Sequence, residues 1–255
     1  MDLNVIYNED CYKGIKKIPD KSIDLIITDP PYLIKDLEIK AAKPTGILKE
    51  RGVVNYIKEM ASTNLGCGID LKILDEFVRV MKKINIYLWC NKDQIYDYIG
   101  YFVKQLGCNF EILIWAKSNP TPFLNGHYLK DKEYCLYFWE KGVELKPEYD
   151  KGKTVWYSAT NIDDKELYDH PTIKPLDIIK TLIENSSKWG GVILDSFIGS
   201  GTTAVACKEL GRNYIGFELN PKYYQIAVDR VNGISQKDKR LKEQGVNTIF
   251  DYMEG

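Results

Sequence analysis

A chain of 255 residues with 44% hydrophobic content can bury a sizeable core as one domain, with or without insertions. Its formal net charge of −1 excludes a global basic field, so any contact with nucleic acid has to come from local patches. Six cysteines (Cys11, Cys67, Cys90, Cys108, Cys135, Cys207) form no CxxC pair, and only His127 and His170 accompany them, so no metal site is expected. The opening MDLNVIYNED lacks the positive stretch and apolar core of a signal peptide, and no run of about 18 apolar residues occurs. The expectation is a soluble cytoplasmic protein with reduced thiols and no membrane partner.

Short apolar runs at 3–7 and 22–28 read as buried strands around a helix over 11–18 that stops at Pro19, a βαβ unit. TDPPY (28–32) follows the second strand directly. Two prolines fix their own φ and push the preceding residue into extended geometry, so Asp29-Pro30-Pro31 is a stiff exit that either turns the chain or holds something. Residues 33–68 break the pattern with glycine, Pro44 and scattered cations, including Lys40, Lys43, Lys49 and Arg51, and read as a locally basic insertion.

Periodicity resumes with a helix over 71–82, a strand at 84–89, a helix over 93–105 and strands at 110–115 and 134–139. The alternation predicts a largely parallel sheet with helices on both faces. The polar, turn-rich stretch 140–169 has no clear period. A strand at 191–197 then leads through Gly199-Ser200-Gly201-Thr202 into a helix closed by Gly211, and a strand at 214–219 ends in Glu218-Leu219. This is the layout of a nucleotide site: the glycines let the backbone turn and approach a ligand, and the acid accepts from ribose hydroxyls. Asn220-Pro221 starts the next helix by capping.

Each motif alone has a plainer reading. DPPY is an ordinary turn, Asp10 is the N-cap of the helix at Cys11, Tyr32 is a core tyrosine, and HPTIKP (170–175) is a helix start with Thr172 capping. Their order changes the weighing. NEDC (8–11), DPPY (29–32), LIWAKSNP (113–120) with KEYCLYF (132–138), HPTIKP, DSFIGSGTT (195–203) and GFEL (216–219) together resemble the S-adenosylmethionine-dependent amino-methyltransferases of DNA. The order is that of the β arrangement, with the catalytic motif ahead of the cofactor loop. The resemblance covers most of the chain and implies one Rossmann-like α/β domain over 1–255. Ser196 departs from it, standing where the family commonly has proline.

The resemblance further implies that Asp29 and the Pro30 carbonyl accept the two hydrogens of the target amine, held still by Pro30 and Pro31, while Tyr32 stacks on a base flipped out of double-stranded DNA. Asp10 and Cys11 are implied at the adenine of S-adenosylmethionine and Glu218, with Leu219 beside it, at the ribose. Thr172, Lys174, Ser200 and Thr202 fall to the methionine end, and Asp195, Phe197, Gly199 and Gly201 to the cofactor loop. Asp29 favours adenine N6, because the related cytosine N4 enzymes usually carry serine there and many RNA or protein amide methylases carry asparagine. A cytosine N4 or RNA methyltransferase, or a non-catalytic nucleic-acid-binding partner, remains the alternative. Residues 33–68 and 140–169 are the candidates for DNA contact and base recognition, against ordinary solvated loops. A homodimer and a cognate restriction endonuclease stay open as partners.

Overall fold

The structure, a computed structural model, describes residues 1–32, 68–120, 128–159, 167–168, 173–235 and 239. The strands are β1 (Val5–Tyr7), β2 (Leu25–Thr28), β3 (Asn85–Cys90), β4 (Asn109–Lys117), β5 (Lys132–Trp139), β6 (Val155–Ser158), β7 (Val192–Asp195) and β8 (Asn213–Phe217). The helices are α1 (Cys11–Gly14), α2 (Ile73–Val80), α3 (Ile95–Ile99), α4 (Leu176–Ser186), α5 (Thr202–Leu210) and α6 (Pro221–Val231). A 3₁₀ turn, Ile15–Lys17, extends α1, and a π-helical segment, Gly100–Gln105, extends α3.

Among the described residues the eight strands form one sheet in the order β1-β8-β7-β2-β3-β5-β4-β6. Alternate residues of the central strands serve opposite faces. Ile26, Leu88, Phe138 and Leu194 join a core with Ile15, Phe77 and Phe102, whereas Leu25, Ile27, Tyr87, Tyr137 and Ile193 join a second core with Leu182, Ala206 and Ala227. Both faces are therefore covered, α1 to α3 on one and α4 to α6 on the other, which is why β3 is buried along its whole length and, past Asn85, reads as an apolar run.

The expected fold class is found, with two additions. β5 pairs antiparallel with both β3 and β4, whereas every other pairing is parallel. A short apolar run carries no mark of strand direction, so periodicity does not reveal this reversal. Its consequence is local: the first residues of β5 lie at the sheet edge where the other strands end. The second addition is β6, a four-residue edge strand along β4 within the stretch read as period-free. Most of the basic insertion, including Lys40, Lys43, Lys49 and Arg51, lies outside the described residues. Among the described residues no helix is long and apolar enough to cross a membrane.

The docking of α1 on β8 depends on one missing side chain. A Cβ on Gly14 would lie 2.2 Å from Cε1 of Phe217, itself only 1% exposed. Gly14→Ala should therefore cost about 1–3 kcal/mol by overpacking, seen as a lower urea midpoint. A midpoint equal to that of the parent contradicts this packing.

Candidate active site

Strand order reverses between β7 and β2: β7 leads to β8 on one side, and β2 leads to β3 on the other. In open α/β sheets ligands sit at the carboxyl ends of the strands at such a point. Here the ends are tied together, since the Thr28 hydroxyl closing β2 donates to Asp195 Oδ1 closing β7 at 2.8 Å. Asp195 also accepts from Phe197 N at 3.1 Å and from the Thr203 hydroxyl at 2.6 Å. Burial pushes its carboxyl up to about 6 against those hydrogen bonds. Asp195 thus pins the turn after β7 to both β2 and the start of α5.

That turn carries Gly199 at φ 52° and Gly201 at φ 80°, left-handed values that favour glycine. Glu218, just past β8, accepts from Gly199 N at 3.0 Å and from Asn220 N at 2.8 Å, one backbone amide per carboxylate oxygen. Burial raises its carboxyl to about 7. Gly201 does something other than what the sequence suggests. It does not line the cavity, and a Cβ there would lie 3.1 Å from the backbone of Ala227, so its bareness serves the packing of α5 on α6 rather than ligand approach.

Past β2, Asp29 meets Lys174 in an ion pair through Oδ2. The Lys174 ammonium also lies 3.1 Å from Glu133 Oε2 and 3.4 Å from the Tyr32 hydroxyl, which in turn donates to Glu133 Oε2 at 3.3 Å. Lys117, at the end of β4, pairs with Glu133 Oε1 at 2.5 Å. Two lysines and two carboxylates thus alternate and cancel, as a buried ionic group requires. Both lysines hold Glu133 down to about 2; burial pushes Asp29 up, opposed by Lys174. The second Asp29 oxygen, Oδ1, is buried and has no hydrogen-bond partner among the described residues. Gln94 Nε2 donates to the Pro31 carbonyl at 3.3 Å, holding the proline pair from the start of α3.

Thr28, Asp29, Pro31, Lys174, Asp195, Gly199 and Glu218 line one cavity of about 720 Å³, within the range of small-molecule sites. Phe197, Ile198 and Phe217 give it apolar walls, and Glu9, Asp10, Asp29, Asp195 and Glu218 line it, with Lys174 the only basic lining residue among the described residues. An acid-rich, partly apolar cleft suits a cationic ligand carrying a flat ring and sugar hydroxyls.

Residues 23–229 match the DNA methylase family, N6_N4_Mtase. The chain belongs to this family. It is 34% identical over 257 residues to the type II methyltransferase M.HinfI of Haemophilus influenzae, spanning 91% of this chain and 69% of that protein. It is 30% identical to M2.LlaDCHI of Lactococcus lactis subsp. cremoris, spanning 89% of each chain. In fold it resembles the crystal structure of an M1.HpyAVI–SAM complex, with a TM-score of 0.64 at 24% identity over 89% of this chain and 98% of that one. The PvuII DNA methyltransferase (cytosine-N4-specific) follows at 0.63 and 18%, over 89% and 85%.

Of the residues singled out in this DNA methylase from sequence, Asp10, Cys11, Asp29, Pro31, Lys174, Asp195, Phe197, Gly199, Ser200, Thr202, Glu218 and Leu219 line the cavity. Pro30 is buried beside it and Tyr32 half-buried. Asp10 caps α1 by accepting from Tyr12 N at 2.9 Å, so its capping and cavity-lining positions coincide. Thr172 lies outside the described residues. Ser200 and Thr202 are engaged from behind by Arg230 of α6, at 3.1 and 2.7 Å. Glu133, Lys117, Gln94 and Arg230 were missed. Lys117 and Glu133 had a signal, lying within the quoted LIWAKSNP and KEYCLYF, but their meeting depends on the direction of β5.

Because its carboxyl titrates higher folded than unfolded, the folded methylase binds the Glu218 proton more tightly. The stability associated with that proton is present at low pH and lost as pH rises through about 7. Glu218→Gln keeps the shape without the charge. Its melting temperature should gain on the parent's between about pH 5 and about pH 8. A gap that does not change with pH contradicts burial as the cause.

Proposed function

We propose that this DNA methylase methylates the N6 amine of adenine, with Asp29 receiving that amine. The methyl donor is S-adenosylmethionine, which supplies an electrophilic methyl when bound, and the substrate is DNA at specific sites. The reading rests on one observation: Asp29 lines the same cavity as the Gly199 turn and Glu218, with one carboxylate oxygen fixed by Lys174 and the other buried without a partner among the described residues.

An amine conjugated with a purine ring is a poor nucleophile, because its lone pair is delocalised. Asp29 Oδ1 accepts one amino hydrogen and the Pro30 carbonyl the other, which favours a pyramidal nitrogen and frees its lone pair. The same carboxylate takes the proton that the nitrogen loses on forming its new bond. Tyr32 stacks on the flipped base, while its hydroxyl is tied to Glu133 and Lys174. On the other side, Glu218 accepts from the ribose hydroxyls with the lone pairs its two backbone amides leave free. Asp10 and Cys11 flank the adenine of the cofactor, and Ser200 and Thr202 hold its methionine end. Asp195 orients the loop. An aspartate at position 29, where related cytosine N4 enzymes carry serine, supports adenine.

Asp29→Asn, which preserves shape, and Asp29→Ala should each lower methyl transfer to DNA by about 10²–10⁴-fold, with S-adenosylmethionine affinity by calorimetry nearly unchanged. Nucleoside analysis of the parent's product should give N6-methyladenine. Parent-like rates in both variants would remove Asp29 from the chemistry, and N4-methylcytosine as the sole product would correct the base. Tyr32→Ala should retain turnover but raise the Michaelis constant for DNA by an amount equivalent to about 1–3 kcal/mol of lost stacking. An unchanged constant contradicts base stacking.

A further inference from the structure

We propose that Lys174 and Glu133 are positioning residues for methyl transfer: Glu133 fixes the Lys174 ammonium, and that ammonium sets the orientation and charge of Asp29. The inference deepens the reading of Asp29 as the group facing the target amine and rests on it. A lysine carries its charge on a flexible four-carbon stem and holds nothing in place unless its own head is fixed. Here the head is fixed on several sides. Lys174 has 10% of its side chain exposed, with Asp29 and Glu133 as counter-charges, and its ammonium lies 5.1 Å from the centre of the Trp89 ring and 5.5 Å from that of Tyr32.

Glu133 is the node of the cluster. Oε1 belongs to Lys117, and Oε2 is shared by Lys174 and the Tyr32 hydroxyl, so one carboxylate links the lysine to the tyrosine of the catalytic turn. It reaches this edge because β5 runs against its neighbours: Glu133 pairs in register with Trp115 near the carboxyl end of β4. With Oδ2 of Asp29 taken by Lys174, Oδ1 is the oxygen left for the amine. Lys174, already protonated, has no lone pair for the departing proton, which passes to Asp29. Its place beside Asp29 also sets it apart from the methionine-end role implied by sequence resemblance.

The charge effect has a definite sign at each position. Asp29 is faced by Lys174 and Tyr32, by Glu133 and Cys135 of β5, Cys90 of β3, Tyr98 of α3 and Asp195 of β7. The thiols and phenols are pushed up by burial and stay neutral, so Lys174 and Glu133 are the close charges whose removal shifts Asp29. Removing the positive one favours protonated Asp29; removing the negative one favours the carboxylate.

The test is the pH profile of single-turnover DNA methylation by the full chain with S-adenosylmethionine, for the parent, Lys174→Met and Glu133→Gln. The acid limb should move to higher pH in Lys174→Met and to lower pH in Glu133→Gln. The rate in both should fall by up to about 100-fold, with cofactor affinity within about twofold of the parent's. Lys174→Arg should recover part of the rate. Limbs that stay in place, or move in the same direction, in folded variants overturn the proposal, and so does a loss of cofactor affinity in Lys174→Met with its limb unmoved. Should either variant fail to fold by circular dichroism, Glu133→Asp and Lys174→Arg carry the decision. Both keep the charge, so the rate should fall with the limb in place, and parent-like rates overturn the proposal. A parent that transfers no methyl to DNA overturns both this inference and the reading beneath it. A methylating parent whose variants behave like it removes the inference alone.

Discussion

The hydrogen bond from the Thr28 hydroxyl to Asp195 joins two strand ends that are 167 residues apart in the chain. It is buried, and the site on both sides depends on it. One residue beyond Thr28 stands Asp29, and two residues beyond Asp195 the turn toward Gly199 begins. A loop held only by its own backbone would leave the distance between acceptor and ligand free to drift, and drift of about an ångström is enough to cost about two orders of magnitude in rate. Asp195 keeps that distance by accepting from Thr28, Phe197 and Thr203. Asp195 lines the cavity as well.

From that junction the site divides into two electrostatic regimes. On the Glu218 side, Asp195 and Glu218 have no ion-pair partner among the described residues and are pushed up by burial, which suits a ligand that brings its own positive charge. On the Asp29 side, lysines and carboxylates alternate and cancel, so that a neutral base can enter without meeting net charge. Lys174 belongs to the second regime although it lines the common cavity. Asp29 stands at the boundary, with one oxygen in the ionic cluster and one left over.

Much of this was legible in the residues. The βαβ opening, the alternation of strands and helices, the glycine turn and the acid after β8 follow from periodicity and from the backbone demands of glycine, proline and capping residues. The DPPY turn was legible as a stiff strand exit from its two prolines, and its proposed role only from the order of the motifs around it. What stayed hidden depends on long-range geometry. The direction of β5 leaves no trace in a short apolar run, and without it Glu133 has no reason to meet Lys174. Gly201 looked like a ligand-approach glycine, because the local pattern cannot show that α6 passes 3.1 Å from where its Cβ would be. β6 is too short, and its surroundings too polar, for its period to register.

The account's central claim is that one cavity presents Glu218 to the cofactor's ribose and, at the methyl end, Asp29 to the target amine. A crystal structure of the protein with S-adenosylmethionine tests it most directly. The account predicts the ribose hydroxyls on Glu218, the sulfonium methyl turned toward Asp29, and Lys174 still paired with Asp29 and Glu133. A cofactor whose carboxylate draws Lys174 away from Asp29, or whose methyl faces away from that residue, would contradict it.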